Sequence, residues 1–393
     1  MPPRERVAVV AAGVATPIGQ DLDAFWSSLL TGSSGISAIE RFPVGDLRVG
    51  RGGEIKKLTR DIRWTGVPDC RATRLLVSAA DELIAQVPLR PADVDPARLA
   101  VVVGTALGGV EEGERALAGE GPRRRMRGAL YDAPGHNLAR WLGARGHVLT
   151  VSTACASGAT AMGIGADLLR QDMADLVVAG GYDILCRFVL RGFDALRSLT
   201  RDEVRPFDRR RSGLLLGEAG ALVLLAREAD AGRRPLGWVR GHASTGDGSH
   251  IAAPDPEGRG LERAVRLALA EAGAAPGDVD FVSAHGTATP LNDRIETAVI
   301  KRVFQAHAHA IPVNSIKPTM GHTMGAAATL EAIMCLLAGR HGQIPPTRHL
   351  EVPDPECDLD YVPGSARALR PRLSLSTSLG FGGCNGALVL ESA

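Results

Sequence analysis

Three residues in this chain have side chains and surroundings suited to covalent chemistry. Cys155 stands in Ser152-Thr153-Ala154-Cys155-Ala156-Ser157-Gly158, His285 in Ala284-His285-Gly286-Thr287-Ala288-Thr289-Pro290, and His322 closes Ser315-Ile316-Lys317-Pro318-Thr319-Met320-Gly321-His322. A cysteine can hold an acyl group as a thioester, and imidazoles can donate hydrogen bonds to an oxyanion as it forms. The small residues around Cys155 leave room for such a thioester. On composition alone a buried structural cysteine is the commoner reading. The two histidine segments overturn it, because each places its histidine between glycine and hydroxyl residues at an element end, unlike His307 and His309 in their Ala-rich stretch.

The elements around these residues must bring them together. A strand over Val148 to Val151 enters a turn, and the small residues from Ala156 to Arg170 read as a helix, so Cys155 sits at a helix N-terminus. There the helix dipole and free N–H groups favour a thiolate, and the N–H of Cys155 itself can face an oxyanion. A strand over Val279 to Val282 puts His285 at its C-terminal edge, where open α/β sheets gather ligands. His322 precedes a second helix, Gly325 to Ala338. Further buried strands are expected at Val7 to Val14, Leu99 to Val103 and Leu176 to Ala179. This alternation indicates an α/β protein with mainly parallel or mixed sheets. Ala221-Leu222-Val223-Leu224 and Ala387-Leu388-Val389-Leu390 each follow a Gly-rich turn, which suggests duplication of a whole α/β unit. The charged, Gly/Pro-bearing stretch Arg227 to Pro235 marks the junction, giving a half of residues 1–235 with the cysteine and a half of 236–393 with both histidines.

Bulk properties exclude other classes. With 393 residues, 45% hydrophobic and 23% charged, core material is ample, but aromatics are only 4%, so the core must rest on Val, Leu, Ile and Ala. A net charge of +1 argues against nucleic-acid binding driven by overall charge. Arg4 and Arg6 ahead of Val7 to Val14 faintly resemble a signal peptide, but the run breaks at Gly13 and Thr16-Pro17 and reads better as a buried strand. No apolar run is long enough for a membrane span. Six dispersed cysteines with no C-x-x-C pair favour reduced thiols over disulfides or a metal site, which points to the cytoplasm.

Taken together, the three segments resemble those of beta-ketoacyl-ACP synthases, within the thiolase-like condensing-enzyme superfamily. The likeness spans nearly the whole chain. It includes the opening strand and Trp-bearing helix over Val7 to Gly35, Arg205-Pro206-Phe207-Asp208 with Gly213 to Gly220, and the glycine loop Gly380-Phe381-Gly382-Gly383. It implies two duplicated α/β halves in a five-layered αβαβα sandwich. It implies a decarboxylative Claisen condensation between an acyl group on Cys155 and malonyl-ACP, in type II fatty acid or polyketide/polyene biosynthesis. In that likeness His285 and His322 are the paired histidines and Lys317 the lysine five residues before the second. Glu331, nine residues after His322, is the acidic companion, Thr287 and Thr289 bind the phosphopantetheine arm, and Phe381 gates the site and supplies half of the oxyanion hole.

The resemblance implies no tightly bound cofactor or metal, because acyl and malonyl groups arrive on the phosphopantetheine arm of an acyl carrier protein (ACP). It implies a homodimer, or a heterodimer with a chain-length-factor-like subunit. Lys317 by itself reads either as a solvated lysine or as an electrostatic organiser of the site. Two arginine clusters, Arg123, Arg124, Arg125 and Arg127, and Arg205, Arg209, Arg210 and Arg211, are either solvated charge or a docking rim for acidic ACP. Asn292 in place of the usual Gly, and the short loop from Ser198 to Arg205, resemble polyketide and polyene synthases. Cys384 replaces the usual Thr and keeps open a CoA-dependent thiolase. A noncatalytic chain-length-factor-like subunit shares the fold but lacks the nucleophile that Cys155 provides.

Overall fold

The computed structural model describes residues 5–59, 70–87, 94–120, 122–231 and 234–393. The first half opens with β1 (Val7–Ala15) and α1 (Leu22–Thr31), a helix capped by the Asp21 side chain, which accepts the Ala24 N–H, and closed by Gly32 in the left-handed region. A hairpin of β2 (Ile36–Ala38) and β3 (Arg51–Gly53) follows, then α2 (Arg71–Gln86), β4 (Leu99–Gly104), α3 (Val110–Leu117), α4 (Ala133–Leu142) and β5 (Val148–Val151). The half closes with α5 (Ser157–Arg170), β6 (Leu176–Asp183), α6 (Arg187–Ala195) and β7 (Ala219–Arg227). Its main strands lie in the order β5-β4-β6-β7-β1, with β4 parallel to β5 and β6, and β7 antiparallel to β6 and β1.

The second half runs β8 (Gly237–Gly246), α7 (Arg259–Ala272), β9 (Phe281–Ser283), α8 (Pro290–Phe304), β10 (Val313–Asn314), the short α9 (Lys317–Met320) and α10 (Ala327–His341). A small ladder of β11 (Gln343–Ile344) and β12 (Arg367–Ala368) leads to β13 (Leu373–Gly380) and β14 (Cys384–Ser392). The strand order, β10-β9-β13-β14-β8, and the parallel and antiparallel pattern repeat the first half strand for strand. The two Ala-Leu-Val-Leu segments fall in the equivalent strands β7 and β14. Val7 to Val9 of β1 pair with Gly237 to Val239 of β8, so the two five-stranded units are joined edge to edge.

Helices α5 and α10 lie in the middle layer. Helix α10 is buried over nearly its whole length, as expected of a helix apolar on every side. Three apolar cores separate the layers. One, with Val9, Met162, Leu225, Ile333 and Leu388, surrounds α5 and α10; one, with Leu75, Leu76, Val101 and Leu138, lies under α2 and α4; one, with Leu261, Val282, Val299 and Val389, lies under α7 and α8. The chain is therefore the five-layered sandwich of two repeated α/β units.

Several boundaries differ from the sequence expectation. Strand β6 continues past Ala179 to Asp183, because Gly180 and Gly181 weaken the apolar signal while permitting close backbone approach. Strand β9 begins at Phe281 rather than Val279. Helices α5 and α10 start at Ser157 and Ala327, each after a single 3₁₀ turn, Ala154–Ala156 and Met324–Ala326.

Candidate active site

Cys155 sits in the 3₁₀ turn between β5 and α5. Ala154 adopts a left-handed φ of 50°, the Thr153 N–H donates to Ser157 Oγ at 2.9 Å, and the Ser157 hydroxyl donates to the Ala154 carbonyl at 2.6 Å. This local bonding holds the cysteine at the helix entrance. From the other half, the end of β13 approaches so closely that a Cβ on Gly380 would lie 3.0 Å from the Cys155 nitrogen. The next residue, Phe381, hydrogen-bonds the thiol through its backbone N–H. The end of β13 thus sets the Phe381 N–H beside the Cys155 sulfur.

The expected thiolate is not the resting form. Burial pushes the Cys155 thiol up to about 12, and the nearby Lys317 charge offsets this only in part. The helix end is outweighed because Cys155 is buried, only 6% exposed. The proton must therefore leave as the thiol attacks.

His285 and His322 meet edge to face, their ring centres 5.1 Å apart at 82°. One ring nitrogen of each and the Cys155 sulfur all lie within 4.8 Å of one another. The Met324 N–H donates to His322 Nδ1 at 3.2 Å, which makes that nitrogen an acceptor and leaves the proton of the neutral ring on Nε2. Nε2 is buried and has no hydrogen-bond partner among the described residues. His285 is anchored through its backbone: its N–H and that of Gly286 donate to the two Glu296 carboxylate oxygens at 2.7 and 2.9 Å, and its carbonyl accepts from Lys317 Nζ. Burial holds both histidines well below 6.5, with the Lys317 charge acting in the same direction. Both are neutral donors at physiological pH.

Lys317 is buried, 2% exposed, and ion-paired with Glu331, so the solvated reading fails. Burial pushes the Glu331 carboxyl up to about 7 against the pull of that lysine. A cavity of about 450 Å³ exposes Cys155, His285 and His322 at its base and Thr287, Thr289 and Phe381 on its walls. The two threonine hydroxyls are 3.0 Å apart, and the Phe381 ring stacks on Phe193 of α6 at 5.2 Å. Cys155, His285, His322, Thr287, Thr289 and Phe381 therefore line one cavity, and Lys317, bonded to the His285 carbonyl, links His285 to Glu331.

Other expectations fare differently. Cys384 is absent from the cavity lining; it sits in β14 opposite Gly246 and Gly380. Arg205, Arg210 and Arg211 are engaged within the chain, with the sequence neighbours Asp202 and Asp208 and with Glu351 and Asp354, which the fold brings in. Arg209 is exposed. In the other cluster Arg125 pairs with Glu112 at 2.8 Å, Arg127 is exposed, and the side chains of Arg123 and Arg124 lie outside the described residues.

Sequence reasoning missed three buried carboxylates. Glu296 holds the His285 loop. Asp293 accepts from the Phe207 N–H at 2.8 Å and from the Asn292 amide at 3.1 Å, which gives Asn292 a partner at the site. Asp183, at the end of β6, accepts from the Gly325 N–H at 2.6 Å. On helix α8 the first two read as solvent-facing acids. Only their spacing of three, which puts both on one face, hinted at a shared task.

Residues 4–231 match the family model "Beta-ketoacyl synthase, N-terminal domain" and residues 236–351 match "Beta-ketoacyl synthase, C-terminal domain". The chain is 37% identical to the tetracenomycin polyketide synthase ketoacyl synthase alpha subunit of Streptomyces glaucescens, over 98% of this chain and 97% of that protein. It is 35% identical to 3-oxoacyl-[acyl-carrier-protein] synthase 2 of Synechocystis sp., over 99% and 98%. Among solved structures, the ishigamide ketosynthase/chain length factor superposes with a TM-score of 0.91 at 32% identity, covering 99% of this chain and all of that one. A type II PKS acyl-carrier protein in complex with its ketosynthase bound to the hexaketide gives 0.91 at 28% identity, with the same coverage.

Proposed function

The chain belongs to the beta-ketoacyl synthase family, and from that premise we propose that it condenses an acyl group held on Cys155 with malonyl-ACP. The observation that carries this reading is the gathering of one thiol and two neutral imidazoles within 4.8 Å at the base of one cavity.

The steps follow from the geometry. Cys155 sulfur attacks the thioester carbonyl of an acyl-ACP, its proton passes to the departing carrier thiol, and the oxyanion is met by the N–H groups of Cys155 and Phe381. Malonyl-ACP then enters. His285 and His322 donate to its thioester carbonyl, so that loss of CO2 leaves an enolate whose oxygen carries the charge. The enolate carbon attacks the acyl carbonyl on Cys155, the carbon-carbon bond forms, and the sulfur departs. Removing one such donor costs on the order of 2.7 to 4 kcal/mol. Lys317, paired with Glu331, orients His285 through its carbonyl and keeps a positive charge beside the site. Thr287 and Thr289 bind the phosphopantetheine arm, and Phe381 gates the cavity.

The substrates carry their own prosthetic arm, so the reading requires no resident cofactor or metal. Relatives from fatty acid and polyketide systems match about equally, and the Asn292 site favours the polyketide side. The partner is ACP, with a second ketosynthase-like chain, identical or chain-length-factor-like, against the edge strand β5. Among the described residues that strand pairs on one side only, with β4, and it carries exposed Leu149, a surface that suits such a partner. No helix among the described residues is long and apolar enough to cross a membrane, and all six cysteines are free thiols, which supports a cytoplasmic enzyme. Intact-mass measurement after incubation with a panel of acyl-ACPs tests the reading. An acyl adduct on Cys155 that is discharged by malonyl-ACP is expected; no adduct from any acyl-ACP would overturn it.

A further inference from the structure

The two halves repeat the turn that enters the central helix as well as their strand order. Turn Ala154–Ala156 precedes α5 and turn Met324–Ala326 precedes α10, and Ala154 and Met324 share a left-handed φ of 50°. Cys155 and Gly325 are therefore equivalent positions. Each turn is met by the last residue of the equivalent strand of the opposite half, Gly380 of β13 at Cys155 and Asp183 of β6 at Gly325.

The two neighbours differ in one decisive respect. Gly380 has no side chain, and the N–H of Cys155 faces the reacting carbonyl. Asp183 carries a carboxylate whose Oδ2 takes the Gly325 N–H at 2.6 Å, and a Cβ on Gly325 would lie 2.7 Å from that oxygen. Asp183 is fully buried. Its other partners are the Thr105 hydroxyl at 2.7 Å and the N–H groups of Ala106 and Leu107 at 2.8 and 3.1 Å. These four partners all act as donors, a set that an acceptor-only carboxylate satisfies and an amide does not.

We propose that Asp183 is a built-in anion filling the second half's copy of the oxyanion turn, and that in this position it is the positioning residue that keeps His322 a hydrogen-bond donor. The link is short. Asp183 fixes the N–H of Gly325; the preceding residue, Met324, holds its left-handed turn and gives its own N–H to His322 Nδ1 at 3.2 Å. That bond is what places the ring proton on Nε2. Without the anion, the Met324 turn, a left-handed conformation unfavourable for a side-chain-bearing residue, loses its anchor and relaxes. The His322 ring is then free to carry its proton on Nδ1 and to present a lone pair to the enolate oxygen. Duplication thus produced two like turns, one left open for substrate and the other closed by the protein itself.

The kinetic readout rests on the condensing-enzyme reading; the spectroscopic one does not. In Asp183→Asn the amide NH2 faces donors. Malonyl-thioester decarboxylation is expected to fall at least about tenfold, while acylation of Cys155, followed by intact mass, stays within about threefold. In ¹⁵N-histidine-labelled protein, the His322 signals, assigned by their absence in His322→Ala, should report the proton on Nε2 in the wild type and a shift towards Nδ1 in the variant. Gly325→Ala, which pushes the carboxylate off the turn from the other side, should do the same. Equal loss of both half-reactions, unchanged decarboxylation, a wild-type proton on Nδ1, or failure of both variants to fold would each overturn the assignment. A wild type that decarboxylates no malonyl thioester would refute the ketosynthase reading instead, and the ¹⁵N comparison would still decide the role of Asp183.

Discussion

Deleting the sulfur of Cys155 separates the two halves of the reaction. In Cys155→Ala, acyl loading and condensation should fall to background by intact mass and product assay, because the nearby hydroxyls of Ser152, Thr153 and Ser157 lack comparable nucleophilicity at neutral pH. Malonyl decarboxylation should persist, since its donors are untouched. His322→Ala reverses the pattern: decarboxylation should drop about 10²- to 10³-fold while some acyl transfer to Cys155 remains, because the lost donor serves an oxyanion formed only in the second step. The histidines also set a pH dependence. Each has a folded pKa well below 6.5, so the fold resists protonation and the neutral donor form survives as pH falls through that value. The two imidazoles should therefore show no protonation near 6.5 in a histidine ¹⁵N titration, and either ring protonating there would contradict the assignment; the rate itself also reports Glu331, held up at about 7, and Asp183, at about 6. The identities of these three residues were legible in the sequence. Their protonation was not, because it follows from burial and from a lysine brought in by the fold.

At the scale of elements, the site depends on two strand ends crossing into the opposite half. Gly380 permits the closer approach, and a Cβ there would meet Thr153 O at 2.9 Å and Cys155 N at 3.0 Å, both backbone atoms. Gly380→Ala should push the end of β13 and the Phe381 N–H away from the sulfur. We expect a loss of about 1–3 kcal/mol in denaturant unfolding, together with slower acylation of Cys155, which a purely structural cost would not produce. The strand-turn-helix order around Cys155 and His322 could be read from small-residue runs and Gly-bounded histidines. The extension of β6 to Asp183 could not, because its two glycines look like a turn until the facing Gly325 turn is seen to need that space.

For the whole molecule, Arg197 offers a test of carrier docking by surface charge. Arg205, Arg210 and Arg211 are tied to acidic partners within the chain, whereas Arg197 is exposed at the mouth of the cavity. Arg197→Glu should raise the apparent KM for acyl-ACP up to about tenfold at low salt, with the effect shrinking at high salt, and should change little for a small pantetheine thioester. Equal effects on both substrates would place Arg197 in the cavity chemistry rather than at a docking surface. By itself the sequence singled out Cys155, His285 and His322 and determined the α/β alternation and the twofold repeat, because each is written in local residue types and in strand-length apolar runs. Only the tertiary structure decided that Lys317 is buried against Glu331, that the thiol rests protonated, that Cys384 stands apart, and that Asp183 reaches Gly325. Those outcomes depend on burial and on contacts between different elements, 14 positions apart for Lys317 and Glu331 and 142 for Asp183 and Gly325, and no local pattern records them.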